Sequence, residues 1–215
     1  MVEAVYRLLN HPKIQTKHRK AAEAFLRGEI AVRQEKSHID AAKTLRDLKV
    51  SKRDSNKRAY AKHWAYADSD LQKWADAMIQ ECRKRQIPLL AFELHRTPER
   101  QEQLRIEGRS KAGPWKSAHQ FGMAIDLIHQ SRRWSLEKSE WEIIGAIGKE
   151  IARKKNIKIT WGGDWGWDFA HWELTDWRTS DVKLAHDEMV RNRIEIPNET
   201  EKRFERYKLI MAQKA

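Results

Sequence analysis

Two short stretches of the sequence carry side chains that could hold a metal ion. The first reads SAHQFGMAID from position 117, and the second reads DFAHWE from position 168. Together they supply His119, Asp126 and His171, a set of two imidazoles and one carboxylate that suits one zinc ion with a fourth position open to water. Asp168 stands three residues before the last histidine and is a candidate general base. The pattern predicts a metal centre with a base beside it.

Chain geometry limits how these residues can meet. A straight strand from His119 to Asp126 would separate them by roughly 23 Å and place them on opposite faces, and a helix would leave them about 10 Å apart. The chain must therefore fold back between them, and Gly122 is the residue at which it can bend. A buried strand over 123–128 would carry Asp126. His171 and Glu173 would share one face of another strand.

The ordered motifs resemble a known family. The pattern S-x-H-x-x-G-x-A-x-D followed by D-x-x-H is similar to the zinc peptidases that comprise D-alanyl-D-alanine carboxypeptidases and L-alanyl-D-glutamate endopeptidases. These enzymes cut bacterial peptidoglycan stem peptides and include phage endolysins. Upstream, the letters RTPERQ from position 96 and GRS from position 108 also resemble that family. The resemblance covers about residues 69 to 176.

The resemblance implies a role for each matching residue. His119, Asp126 and His171 fall at the zinc ligands. Asp168 falls at the general base, where carboxypeptidases usually carry glutamate and phage endopeptidases carry aspartate. The resemblance therefore favours an L-alanyl-D-glutamate endopeptidase, with D-alanyl-D-alanine carboxypeptidase as the alternative.

Two further positions match the family, and one departs from it. Arg96 corresponds to an arginine that stabilises the developing oxyanion, and Ser117 to a position near the substrate. Ala170 stands where the family often has proline, a change that bears on the shape of a substrate subsite and not on metal binding.

Structural alternatives exist for three of these residues. Asp168 could cap a turn after Gly166 and Trp167. Arg96 could pair with Glu93 or Glu99 at the surface. Glu173 could orient a ligand histidine, or be a buried carboxylate paired elsewhere.

A serine hydrolase is a weaker interpretation of the same stretch. Ser117, His119 and Asp126 are residue types of a catalytic triad, but the sequence has no G-x-S-x-G nucleophile motif. The helical zinc protease motif H-E-x-x-H is absent as well.

Composition bounds the partners and the compartment. The 43 Lys and Arg against 31 Asp and Glu give a formal charge of +12, which favours a polyanionic partner. Wall polymers fit the resemblance better than nucleic acid, although a protein that only binds either one remains an alternative class. The first ten residues lack the apolar core of a secretory signal, and no run of about twenty apolar residues predicts a membrane span. We expect cytoplasmic synthesis and action at the bacterial wall after release.

The chain as a whole predicts an α+β fold, a small and mainly antiparallel sheet flanked by helices. Residues 1–66 are expected to form a basic helical extension, 67–177 the zinc peptidase core, and 178–215 a charged helical tail. The expected core elements are helices at 69–85, 98–107 and 136–154 and strands at 88–94, 123–128 and 157–161, with a further strand through His171 and Glu173. Cys82 falls on an apolar helical face, which predicts a core residue.

Overall fold

The computed structural model describes residues 37–46 and 63–214. The chain divides into two compact units between Leu45 and Arg46. In the first unit, residues 37–44 are helical. The remaining helices predicted for the 1–66 extension lie outside the described residues.

The second unit combines helices with one small sheet. Its helices are α1 (Ser69–Lys84), α2 (Pro98–Ile106), α3 (Lys138–Lys155), α4 (Asp181–Arg191) and α5 (Thr200–Ala212). Its strands are β1 (Leu89–Glu93), β2 (Ala124–His129), β3 (Ile159–Trp161) and β4 (His171–Leu174), in the antiparallel order β1-β2-β4-β3. The predicted α+β class is confirmed. Across residues 37–46 and 63–214, no helix combines the length and apolar character that a membrane crossing requires.

Helix α1 follows from its sequence period. The Asp68 carboxylate caps the helix by accepting a hydrogen bond from the backbone N–H of Asp70. Apolar residues recur at helical spacing and are all buried: Leu71, Trp74, Ala75, Met78, Ile79 and Cys82. Cys82 packs in the core as predicted, and its burial raises the pKa of the thiol to about 12.

The sheet has one face packed against helices and another that carries the metal-binding motif. Successive side chains of a strand point to opposite faces. On β4, Trp172 points toward α1, where its ring lies 4.8 Å from that of Trp74. The Trp74 indole N–H in turn donates to the carbonyl of Gly148 on α3. His171 and Glu173, the neighbours of Trp172, therefore point to the other face.

The C-terminal helices contribute to the second unit's packing. Phe121, at the end of a 3-10 turn over Ala118–Phe121, stacks on Trp177 with ring centroids 5.8 Å apart. His186 of α4 packs edge-on against the Phe121 ring, with ring centroids 5.3 Å apart. Helices α4 and α5 join each other through Met189 and Tyr207. The predicted helical tail is thus packed beside the turn that carries the first motif.

Gly122 makes the bend that the sequence predicts. Its φ is 72°, in the left-handed region where glycine has no side-chain penalty. A Cβ at this position would lie 2.0 Å from the carbonyl oxygen of Tyr66. The Gly122 carbonyl accepts a hydrogen bond from the Asp68 N–H at 2.9 Å. Conformation and space both require glycine here.

We expect Gly122→Ala to destabilise the fold more than Gly108→Ala does. Both positions have positive φ, but a Cβ at Gly108 would meet nothing within 4 Å. The left-handed strain, about 1 to 2 kcal/mol, is therefore shared, and only Gly122→Ala adds overpacking of about 1 to 3 kcal/mol. Urea unfolding followed by circular dichroism measures the difference. Equal losses in the two variants would contradict the steric explanation.

Candidate metal centre

Three separate elements bring the predicted ligands together. His119 lies on the 3-10 turn before Gly122, Asp126 on β2, and His171 at the start of β4. Asp126 and His171 are direct cross-strand partners in the β2–β4 register, so their side chains share one face of the sheet. The bend at Gly122 returns His119 to the same place.

The three ligand atoms form a nearly equilateral triangle. His119 Nε2 lies 3.2 Å from His171 Nδ1, and each of these nitrogens lies 3.3 Å from Asp126 Oδ1. In a tetrahedral site with bonds of about 2.0 to 2.1 Å, two ligand atoms lie about 3.3 to 3.4 Å apart. All three side chains are buried. The cluster could therefore hold one metal ion, and its donor set and spacing fit zinc.

The His119 ring has its tautomer set by the backbone. Its Nδ1 lies 2.7 Å from the carbonyl oxygen of Leu94. A carbonyl can only accept, so Nδ1 carries the hydrogen and Nε2 presents its lone pair to the cluster. Burial and the nearby Arg96 charge lower the pKa of His119. The ring is thus held in the neutral form that a metal requires.

His171 is oriented by a carboxylate on its own strand. Its Nε2 lies 3.2 Å from Glu173 Oε2, so Nε2–H donates outward and Nδ1 faces the cluster. Burial opposes a charge on this ring, but its hydrogen bonds to Asp126 and Glu173 outweigh burial and raise the pKa of His171 to about 9. Below this pKa the ring carries a second proton, on Nδ1, and a metal ion bound at Nδ1 would displace it.

Asp126 is shared between the cluster and an arginine. Its Oδ1 faces the two histidines, and its Oδ2 accepts from Arg96 Nη2 at 2.7 Å. Burial opposes ionisation, but His119, His171 and Arg96 together hold the pKa of Asp126 well below its usual range. The carboxylate is therefore charged and has one oxygen left for a metal.

Arg96 pairs with Glu93, as the sequence allowed, but the pair is mostly shielded from solvent instead of lying at the surface. Its side chain is only 13% exposed, and its Nε donates to Glu93 at 2.7 Å while Nη2 donates to Asp126. A third contact joins Nη1 to Gln101 Oε1 at 3.5 Å. A guanidinium has five N–H groups, so these contacts leave donors for a substrate oxygen. Its predicted oxyanion role stays a prediction.

Asp168 lies in the turn that leads into β4. Its backbone carbonyl accepts from the His171 N–H at 3.1 Å. Burial, with the nearby charge of Asp126, raises the pKa of Asp168. Within residues 37–46 and 63–214, its carboxylate accepts no capping hydrogen bond. Asp168 is thus half-buried, and its role as general base stays a prediction.

Gly162, which belongs to none of the predicted motifs, allows this turn to pack closely. A Cβ on Gly162 would lie 2.3 Å from the Asp168 carbonyl oxygen and 3.1 Å from the Cβ of His171. Gly162 therefore sets the approach of the candidate base to its neighbouring ligand. This requirement for glycine arises from a tertiary contact, so the sequence pattern alone does not reveal it.

The remaining predicted residues border the cluster. Ser117 is the half-buried residue before the 3-10 turn, and its side chain makes no capping hydrogen bond there; its substrate role stays a prediction. Trp165 lies 5.4 Å from the His171 ring, and Trp167 lies 5.7 Å from Trp165. Trp172, which directly follows His171 in the chain, is fully buried on the helix-covered face.

Comparison with known proteins finds similarity among solved structures alone. No family model matches the chain, and no curated protein matches it. Among solved structures, the chain is similar to the L-Ala D-Glu endopeptidase ChiX of Serratia marcescens, at 22% sequence identity and a TM-score of 0.45. The match covers 56% of this chain and 93% of that chain.

Proposed function

We propose that this protein is a zinc-dependent peptidase of bacterial peptidoglycan that cleaves between L-alanine and D-glutamate. The observation that carries the proposal is the buried triangle of His119 Nε2, Asp126 Oδ1 and His171 Nδ1, with edges of 3.2 to 3.3 Å. The substrate is inferred from the ordered motifs, in which an aspartate occupies the base position as in phage endopeptidases. Action at the bacterial wall after release is part of the proposal.

Each side chain has a task in this chemistry. His119, Asp126 and His171 would hold the ion. A bound zinc ion polarises a carbonyl and lowers the pKa of water toward neutrality. Asp168 accepts a proton from the attacking water and passes it to the leaving amine. Because its pKa is raised, its conjugate acid forms more readily than that of an exposed aspartate.

The basic surface would assist encounter with the wall. A formal charge of +12 attracts anionic wall polymers over a range set by the ionic strength. This attraction is independent of the peptidase site, and it acts on binding rate more than on cleavage.

Removing the base and removing a ligand should have separable effects. We expect Asp168→Ala to keep zinc affinity while lowering kcat by about 10²- to 10⁴-fold, because only proton transfer is lost. His171→Ala should lose both zinc binding and turnover. Its zinc affinity should fall by more than the roughly 10- to 100-fold that is typical when a residue supporting a ligand is removed. Chelator competition measures zinc binding, and release of peptides from purified peptidoglycan measures turnover.

Two exposed residues provide matched controls for these variants. Asp164 lies in the turn after β3 and pairs with Lys149 at the surface, so Asp164→Ala should retain full turnover. His38 is exposed on the helical segment 37–44, so His38→Ala should retain zinc. Unchanged turnover in Asp168→Ala would remove Asp168 from the mechanism.

Arg96→Met is expected to weaken zinc binding about 10- to 100-fold, because Asp126 loses the partner that fixes its second oxygen. Chelator competition measures this loss directly. Zinc affinity equal to that of the parent, together with a large fall in kcat, would instead assign Arg96 to the oxyanion alone.

Product analysis identifies the peptide bond that is cleaved. Digestion of purified peptidoglycan by the zinc-loaded protein should give new carboxyl ends at L-alanine and new amino ends at D-glutamate, identified by mass spectrometry. Release of free D-alanine would indicate D-alanyl-D-alanine carboxypeptidase instead. Retention of peptidoglycan without any cleavage would indicate a binding protein.

A further inference from the structure

Two exposed indoles stand directly beside the metal cluster. Trp165 and Trp167 are 42% and 51% exposed, whereas the neighbouring Trp172 is fully buried. The Trp165 ring centroid lies 5.4 Å from that of the ligand His171, and the Trp167 ring lies 5.7 Å from Trp165 at a tilt of 32°. Isolated exposed aromatic residues are common, but a contiguous pair at the edge of a candidate site indicates a binding surface.

A lysine from a different segment completes this surface. The ammonium of the exposed Lys111 lies 4.8 Å from the centre of the Trp167 ring. Such cation–π contacts hold an indole in orientation while leaving its other face free. The ammonium also brings hydrogen-bond donors and a positive charge to the edge of the pair. We call Trp165, Trp167 and Lys111 the indole platform.

The chemistry of the proposed substrate decides what could occupy the platform. The stem peptide consists of alanine, glutamate and a diamino acid, and none of these offers a broad apolar face to an indole. The glycan strand does, because a pyranose ring presents a row of C–H groups that suits the electron-rich face of an aromatic ring. Its hydroxyl and acetamido oxygens can accept hydrogen bonds from an ammonium.

Distance also connects the platform to the bond that is cut. Only the alanine and a lactyl unit separate the sugar from the L-alanyl-D-glutamate bond, about 7 Å at 3.3 to 3.6 Å per residue. The platform begins at a comparable distance from the cluster, with Trp165 at 5.4 Å from His171. A D-alanyl-D-alanine bond lies three residues further along, about 10 Å more, and would leave the sugar beyond the platform.

We propose that the indole platform binds the muramoyl sugar that precedes the scissile bond, so that the protein recognises glycan-linked stems in preference to free peptides. This inference rests on the proposed endopeptidase function. It assigns Trp165 and Trp167 to stacking on the pyranose ring. Lys111 acts by holding Trp167 and by donating to the sugar's oxygens.

The test compares two substrates that differ only in the sugar. One is a disaccharide-tetrapeptide, and the other is the same tetrapeptide with its amino end acylated by lactic acid, so that the sugar is removed without creating a charged amine. We expect the parent protein to cleave the first with kcat/KM higher by about tenfold, mainly through KM. Trp167→Ala should remove that preference while leaving kcat/KM for the lactyl-tetrapeptide within about twofold of the parent. An equal loss of kcat/KM on both substrates, or no loss on either, would contradict sugar binding by the platform.

Two variants control for nonspecific effects. Trp167→Tyr keeps an aromatic face and should retain most of the preference. Trp134→Ala removes another exposed indole, one that packs edge-on against Phe92, and should retain all of it. Thermal unfolding of each variant checks that the fold is intact.

A binding measurement separates failure of this inference from failure of the proposed function. If the zinc-loaded parent cleaves neither substrate, the proposed function fails, and calorimetry with the uncleavable N-acetylglucosamine–N-acetylmuramic acid disaccharide then tests the platform alone. Binding by the parent that weakens about tenfold or more in Trp167→Ala supports the platform. Equal heats in the two proteins overturn it.

Discussion

The confinement of two imidazoles and one carboxylate in a buried triangle is the constraint on which this structure depends. Polar groups taken out of water must find partners, because burial without hydrogen bonds costs several kcal/mol. Here His119 donates to a backbone carbonyl, Asp126 accepts from Arg96, and His171 donates to Glu173. Each of these hydrogen bonds involves the ring nitrogen or carboxylate oxygen of the ligand residue that faces away from the cluster. Once the Nδ1 proton of His171 is displaced, the three inward atoms are lone pairs that a metal ion could satisfy together.

The partners of His119 and Asp126 come from β1 and the segment that follows it, which carry none of the candidate ligands. Leu94 and Arg96 follow β1, and Glu93 ends it. The β1–β2 pairing shifts register between Ala91 and Glu93, so that Glu93 stands opposite Asp126. Such a bulge redirects side chains near the end of a strand. In this case it places the Glu93–Arg96 pair against the metal-binding carboxylate.

The sequence predicted the ligands and the bend because these depend on local chemistry. Two histidines and an aspartate have few roles at such spacing, and Gly122 is the residue that permits the required fold-back. Helix α1 could also be predicted from the sequence, because its buried residues recur at the spacing of an α-helix. The fold class, with its small antiparallel sheet, is confirmed as well.

The supporting contacts could not be predicted in the same way. The contact between Arg96 and Asp126 depends on a bulge that leaves no signal in the sequence. Trp165, Trp167 and Trp172 look alike in the sequence, and only the start of β4 decides that Trp172 points inward while the others remain exposed. The clash that excludes a side chain at Gly162 likewise arises between segments that meet only in the folded chain.

The antiparallel pairing of β2 with β4 has a consequence for biosynthesis. Asp126 and His171 are adjacent in the sheet, but α3 and β3 lie between them in the chain. Closing so long a loop is slow and costs entropy, and no ion can bridge these residues until β4 has left the ribosome. A growing chain therefore has no complete cluster, and an ion bound there would fasten β4, the last strand to be made, to β2.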